Sequence, residues 1–253
     1  KDPVPETINA KSGEETVVCE TPWGKYSAVV FKGAGNYEHR MDRLDYSDKM
    51  YFGYGEMLAR LHLLSKEFTS ETIRPDWREN LFRAANILKE YNAPVSALKE
   101  AVRLEEFFAN LPVTNDNYGL VHYDFELDNI FYNPETSNFG VIDFDDSMYH
   151  WYAMDIKQSL DSIREELPDE YRPQAVNQFL NGYYSVTNPD EAITAHMPVF
   201  KRYADLCGYA RCLHSLHEKW TNEPEWMIKL RKHIENLMKK MSENFGEPIK
   251  AVM

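Results

Sequence analysis

Two short stretches carry the groups that could do chemistry. His122-Tyr123-Asp124-Phe125-Glu126-Leu127-Asp128-Asn129 offers an imidazole, three carboxylates and an amide, and Ile142-Asp143-Phe144-Asp145-Asp146 adds three more carboxylates. Between them, Ile130-Phe131-Tyr132, a polar segment from Asn133 to Asn138, and Phe139-Gly140-Val141-Ile142 read as strand, turn, strand. A hairpin folds its ends together, so Asp124, Asn129 and Asp143 are expected to converge on one small volume. Carboxylates held that closely repel unless something neutralises them. A divalent metal carrying phosphates does so, because Mg2+ takes one or two carboxylate or amide oxygens and completes its shell with phosphate oxygens and water.

The arrangement resembles the catalytic segment of the protein-kinase-like phosphotransferases, H-x-D-x-x-x-x-N followed by a metal-binding Asp on the next strand. Within that superfamily it is most similar to the aminoglycoside phosphotransferase and choline-kinase branch, whose metal Asp sits in an I-D-F/W context. Gly55-Glu56-Met57-Leu58-Ala59-Arg60-Leu61-His62 is similar to the branch's G-x-x-L-A-x-L-H helix, and Asp155-Ile156 to its Asp at the start of the following helix. Together the matches span roughly residues 15 to 160. One departure is Tyr123, where the family usually has Gly. The resemblance implies that Asp124 is the catalytic base and that Asn129 and Asp143 hold Mg2+. It implies that His122 buttresses the loop and that Asp155 braces it by accepting backbone N–H bonds, with a plain helix cap as the competing role for Asp155. Phe131 and Ile142 would floor the adenine pocket, although both also fit as strand core. The backbone around Phe31 and Lys32 would meet the adenine edge.

The acceptor is less legible. Glu126, Asp128, Asp145 and Asp146 surround the proposed base, and Trp151 lies in an aromatic run, Tyr149-His150-Trp151-Tyr152. Carboxylates with aromatics suit a protonated or quaternary amine through cation–π contact, and the same aromatics equally suit a core. The expected activity is ATP- and Mg2+-dependent transfer of the γ-phosphoryl group to a hydroxyl of a small amine-bearing molecule, aminoglycoside-, choline- or homoserine-like. One alternative is a non-catalytic, kinase-like binding module. Another is a metal-dependent hydrolase built on His122, Asp124, Asp143 and Asp145, which would want more converging histidines.

The elements that must position these groups are mostly helical. Thr16–Glu20, a Thr21-Pro22-Trp23-Gly24 turn and Tyr26–Phe31 read as a β-hairpin, which the resemblance equates with the last two strands of a small lobe leading to a hinge at Lys32-Gly33-Ala34-Gly35. No Gly-rich phosphate loop, ATP-contacting Lys or Glu-bearing partner helix is legible before it, and the first residue is Lys1. The expectation is therefore a small-lobe remnant over 1–35 and a helical large lobe with the catalytic and metal-binding loops over 36–253. A kinase lacking those parts would be crippled. Apolar spacing predicts helices from Ser47 through Leu64, after Arg74-Pro75-Asp76, from Pro94, over Pro168–Tyr184, Pro189 to about Trp220, and Pro224 to about Phe245. The resulting class is α+β, protein-kinase-like, with a catalytic β-hairpin inside a predominantly helical lobe.

Composition narrows the class further. The 253 residues are 43% hydrophobic with 13% aromatics, enough for a real core. With 28 Lys and Arg against 41 Asp and Glu, the net charge of −13 argues against a nucleic-acid partner. No apolar run nears the roughly 20 residues that span a bilayer, and the start lacks a secretory pattern. Cys19, Cys207 and Cys212 form neither an even framework nor a zinc pattern, so buried free thiols in a reducing cytoplasm are expected. The partners expected are a nucleotide and a small hydroxyl substrate, with no membrane; the oligomeric state is open.

Overall fold

The computed structural model describes residues 5–32, 38–39, 47–68, 73–188 and 190–249. The expected hinge glycines Gly33 and Gly35 lie outside the described residues. In chain order the elements are β1 (Thr7–Ile8), β2 (Thr16–Thr21), β3 (Gly24–Phe31), β4 (Glu38–His39), α1 (Asp48–Glu67), α2 (Trp77–Glu90), α3 (Val95–Ala109), β5 (Tyr118–Val121), β6 (Ile130–Asn133), β7 (Asn138–Val141), β8 (Met148–Trp151), α4 (Ala153–Glu166), α5 (Arg172–Tyr184), α6 (Glu191–Thr194), α7 (Met197–His217) and α8 (Glu225–Met241). They fall into two units. The first comprises 1–61, 124–146 and 158–188, and the second 62–123, 147–157 and 189–253, so α1 and α4 each run from one unit into the other.

The first unit holds two antiparallel sheets. β1, β3 and β2 pair in the order β1-β3-β2, with the expected hairpin in register from Thr16↔Val29 to Thr21↔Gly24. Every residue of β3 is exposed. The other sheet runs β4-β6-β7. α1 begins as predicted at Ser47, whose hydroxyl accepts the Met50 N–H at 3.3 Å. Its three- and four-residue spacing buries Met50, Tyr54 and Leu58. α1 and α5 approach each other through a pair of glycines. A Cβ on Gly55 would stand 1.9 Å from the Phe179 carbonyl oxygen, and one on Gly182 1.9 Å from that of Phe52.

The second unit packs α2, α3, α7 and α8 around Trp77, Leu81, Leu88, Leu104, Phe108 and Phe200. Asp76 caps α2 by accepting the Glu79 N–H at 2.8 Å. A charged group is built into this core: Glu100, fully buried, accepts both arms of Arg202 at 2.7 and 2.5 Å and the Gly246 N–H at 2.9 Å.

The structure corrects three details. Residues 118–121 and 148–151 form an antiparallel ladder, β5–β8, that the spacing did not announce; four-residue strands buried in aromatic surroundings show no useful alternation. The single helix expected from Pro189 breaks into α6 and α7, with Pro198 in the first turn of α7, where a missing N–H interrupts one helix and suits the start of the next. Cys19 is exposed rather than buried, and all three cysteines are free. No helix among the described residues is long and apolar enough to cross a membrane.

Helix propensity alone favours Ala over Gly by about 0.5–1 kcal/mol. The backbone contact at Gly55 reverses that sign, and Gly55→Ala is expected to destabilise by about 3 kcal/mol. A urea titration of the two proteins checks it; unchanged or increased stability would contradict the close crossing.

Candidate active site

The catalytic hairpin forms in the first unit. β6 and β7 pair from Ile130↔Val141 to Asn133↔Asn138. The Asn133 side chain closes the turn, its Oδ1 accepting the N–H groups of Glu135 and Thr136 at 3.0 and 3.1 Å. At the open end the Ile142 N–H donates to the Asn129 carbonyl at 3.1 Å. That bond brings Asp143, the next residue, to the same end of the hairpin as Asn129. Asn129 is itself buried, and its Nδ2 donates to the Asp124 carbonyl at 2.9 Å and the Asp124 carboxylate at 2.8 Å. The three residues expected to converge are thus linked within one short hydrogen-bonded hairpin.

The Asn129 amide has two donor hydrogens and one acceptor oxygen. With Nδ2 committed to Asp124, its Oδ1 is the atom left to accept or ligate. Asp143 is exposed and Asp124 half-buried. A neutral amide oxygen and one carboxylate form a hard, sparse donor set, which fits Mg2+ that also carries phosphate oxygens. Among the described residues no group of three or more His, Cys, Asp or Glu could hold a metal by itself; the hydrolase alternative needs such a group.

Buried hydroxyls hold the loop backbone. Tyr54 and Ser159 donate to the Phe125 carbonyl at 2.6 and 3.0 Å, and the Leu127 N–H donates to Ser162 Oγ at 2.9 Å. Phe125 and Leu127 fill the core beneath. Along the hairpin Ile130, Tyr132, Phe139 and Val141 are buried, while Phe131, Gly140 and Ile142 share the half-exposed face. Phe131 stands opposite Gly140 of β7 and His39 of β4 in the register. Phe31 is exposed at the end of β3, and Lys32 donates its N–H and its ammonium to Glu6, at 2.8 and 2.6 Å; that backbone donor is already committed. Glu126 is half-buried, and Asp145 and Asp146 are exposed after β7. Trp151 has no exposed surface and donates its indole N–H to the Pro112 carbonyl at 2.8 Å in the second unit. It is core and has no surface to offer the acceptor that the sequence assigned to it.

The lead-in to Asp124 is pinned in the second unit. Asp155, fully buried in the first turn of α4, accepts the N–H groups of His122 and Tyr123, each at 2.8 Å, and faces His62 Nε2 at 3.1 Å. Burial pushes the Asp155 pKa up, but the hydrogen bond and charge of His62, with those of His122, bring it below the ordinary carboxylate value. Tyr152 stacks on the His62 ring at 4.3 Å. Tyr123 adopts φ +66° and Asp143 φ +65°, left-handed conformations that cost a non-glycine residue about 1–2 kcal/mol each.

His62, Tyr54, Ser159 and Ser162 received no role from the sequence. A signal existed for the serines: Asp155, Ser159 and Ser162 recur at four and three residues, one face of α4. His62 closes the G-x-x-L-A-x-L-H motif, where only its partner's position reveals its use.

The phosphotransferase enzyme family model matches residues 2–189. The chain belongs to that family. It is a kinase that phosphorylates a hydroxyl group. The amicoumacin kinase of Bacillus subtilis (strain 168) is 25% identical over 247 residues, covering 92% of this chain and 70% of the relative. Among solved structures, an amicoumacin kinase in complex with AMP-PNP, Ca2+ and Ami superposes with a TM-score of 0.72 at 19% identity, covering 94% of this chain and 72% of that one. A microcompartment-associated aminopropanol kinase gives 0.60 at 19% identity, covering 96% and 75%. A choline/ethanolamine kinase family protein from Mesorhizobium loti gives 0.56 at 13%, covering 97% and 79%. These structures establish the kinase-like fold.

Replacing Asp155 by Asn leaves one acceptor where three donors converge, and about 3–5 kcal/mol of stability should be lost. Because the folded-state pKa is lowered, the carboxylate's contribution is present above the unfolded value of about 4 and lost as pH falls through the folded one. Urea unfolding at neutral and acid pH should show that acid limb in the parent protein and not in Asp155→Asn.

Proposed function

We propose that this kinase transfers the γ-phosphoryl group of ATP to a hydroxyl of a small amine-bearing molecule, with Asp124 as the base. The observation that carries the reading is the Asn129 amide bonded through Nδ2 to the Asp124 carboxylate at 2.8 Å. It orients the carboxylate and leaves Oδ1 for a metal. Asn129 and Asp143 would hold Mg2+, which when bound neutralises charge on the phosphates.

In the proposed step the acceptor hydroxyl gives its proton to Asp124 as its oxygen bonds to the γ-phosphorus. The bond from that phosphorus to the β–γ bridging oxygen breaks, and ADP leaves. No covalent enzyme intermediate is needed. Phe131 and Ile142, on the open face of the hairpin, suit the adenine. Glu126, Asp145 and Asp146 give the acceptor side a negative field that favours an ammonium over a neutral or anionic alcohol. Support for an amino alcohol also comes from relatives described as aminopropanol and choline/ethanolamine kinases.

The test is ADP formation from ATP and Mg2+ with aminopropanol, ethanolamine, choline or amicoumacin as acceptor, and with 1,2-propanediol as the amine-free alcohol, for the parent and Asp124→Asn. A fall in kcat of at least about 100-fold is expected for the variant, the size of a lost general base, with nucleotide binding unchanged. Survival of kcat within a few-fold would remove Asp124 from the role. Turnover confined to acceptors lacking an amine would overturn the substrate class.

A further inference from the structure

Tyr123 is 4% exposed, and its side chain leaves the loop for the interior of the second unit. Asn80 of α2 directs Nδ2 to the Tyr123 hydroxyl at 3.4 Å, to the Tyr203 hydroxyl at 3.2 Å and to Cys207 Sγ at 3.5 Å. Tyr203 in turn donates its hydroxyl to the Trp77 carbonyl at 2.7 Å. Burial pushes the Cys207 thiol up to about 11 and keeps it protonated. The Tyr123 ring lies 6.5 Å from that of Tyr203, edge to face, and 6.2 Å from that of His150. One residue of the loop is therefore tied at its backbone N–H to Asp155 in α4 and at its hydroxyl to Asn80 of α2, which also reaches Tyr203 and Cys207 of α7.

A left-handed φ at a bulky residue persists only where the surroundings over-determine it. The backbone bond to Asp155 fixes one end of the Tyr123 residue. An anchored phenol supplies the second point of attachment, since two fixed ends of one residue define its orientation. We infer that Tyr123 is a positioning residue for Asp124, its buried hydroxyl locking the left-handed turn that presents the base. The inference rests on the reading of Asp124 above and concerns how that carboxylate is held.

Tyr123→Phe removes the hydroxyl and keeps the ring. In the full chain, hydrogen–deuterium exchange at the His122 and Tyr123-position amides should quicken about tenfold, the equivalent of one hydrogen bond, with α2 and α7 amides unchanged. kcat should fall by a similar factor while KM for MgATP stays within about twofold, because only the base is displaced. Asn80→Ala, which cuts the same anchor from the other side, should do likewise. The double variant should be no worse than either single one, since both remove one network. Unchanged loop exchange and unchanged kcat in Tyr123→Phe would overturn the inference, as would fully additive losses. A kcat loss shared by Asp124→Asn and absent from Tyr123→Phe refutes the positioning role alone. Full activity in Asp124→Asn refutes the base, and this inference with it.

Discussion

A carboxylate with no access to water is the constraint on which the rest of the site depends. An isolated buried charge is strongly unfavourable, and Asp155 is tolerable only because two backbone N–H groups and the His62 ring converge on it. Its place in the first turn of α4 adds the favourable end of the helix dipole. Each donor that stabilises the charge is itself fixed in return. Two of them are consecutive amides of the catalytic loop, so the demand of one side chain for hydrogen bonds becomes a restraint on the chain immediately before Asp124. His62 carries the same demand into the C-terminal part of α1, which explains why an imidazole closes that helix motif.

The acidic loop solves a different problem. Its carboxylates must stay charged and close together while its backbone cannot shift. The division of labour follows from burial: Phe125 and Leu127 anchor it in the core, and hydroxyls from Tyr54, Ser159 and Ser162 satisfy the backbone groups that burial would otherwise strand. These supports are neutral donors and acceptors, so none of them adds a charge beside the carboxylates. Asp143, Asp145 and Asp146 remain exposed, so water screens their mutual repulsion.

Much of this was legible in the residues. The apolar runs and the polar Asn133–Asn138 segment located the hairpin to within a residue, Ser47 marked one helix start by its capping chemistry, and Arg74-Pro75-Asp76 marked another. The joining of Asp124, Asn129 and Asp143 followed from hairpin geometry. What stayed hidden is what depends on long-range partners. Trp151 is chemically suited to a cation, and only its enclosure by the second unit's core shows otherwise. β5 and β8, at four residues each, are too short to carry a period-two signal, and Lys32 offers its amide to Glu6 across 26 residues. His62 and Asp155 are 93 residues apart, a pairing that local propensity does not encode.

Backbone strain and polar burial meet in two residues of the site. Ser137 and Asn92, the other non-glycine left-handed residues among those described, are of the small polar types that tolerate turns. Tyr123 and Asp143 stand beside and within the acidic cluster instead. For Asp143, the Ile142–Asn129 bond ends the ladder just before it, and the left-handed step turns the exposed chain away from the strand direction. For Tyr123 the step occurs in full burial, where no solvent competes for its hydroxyl and a lost partner cannot be replaced by water. The same dihedral is therefore held by opposite means. Asp143 makes the step in solvent, whereas Tyr123 makes it enclosed by the second unit's core.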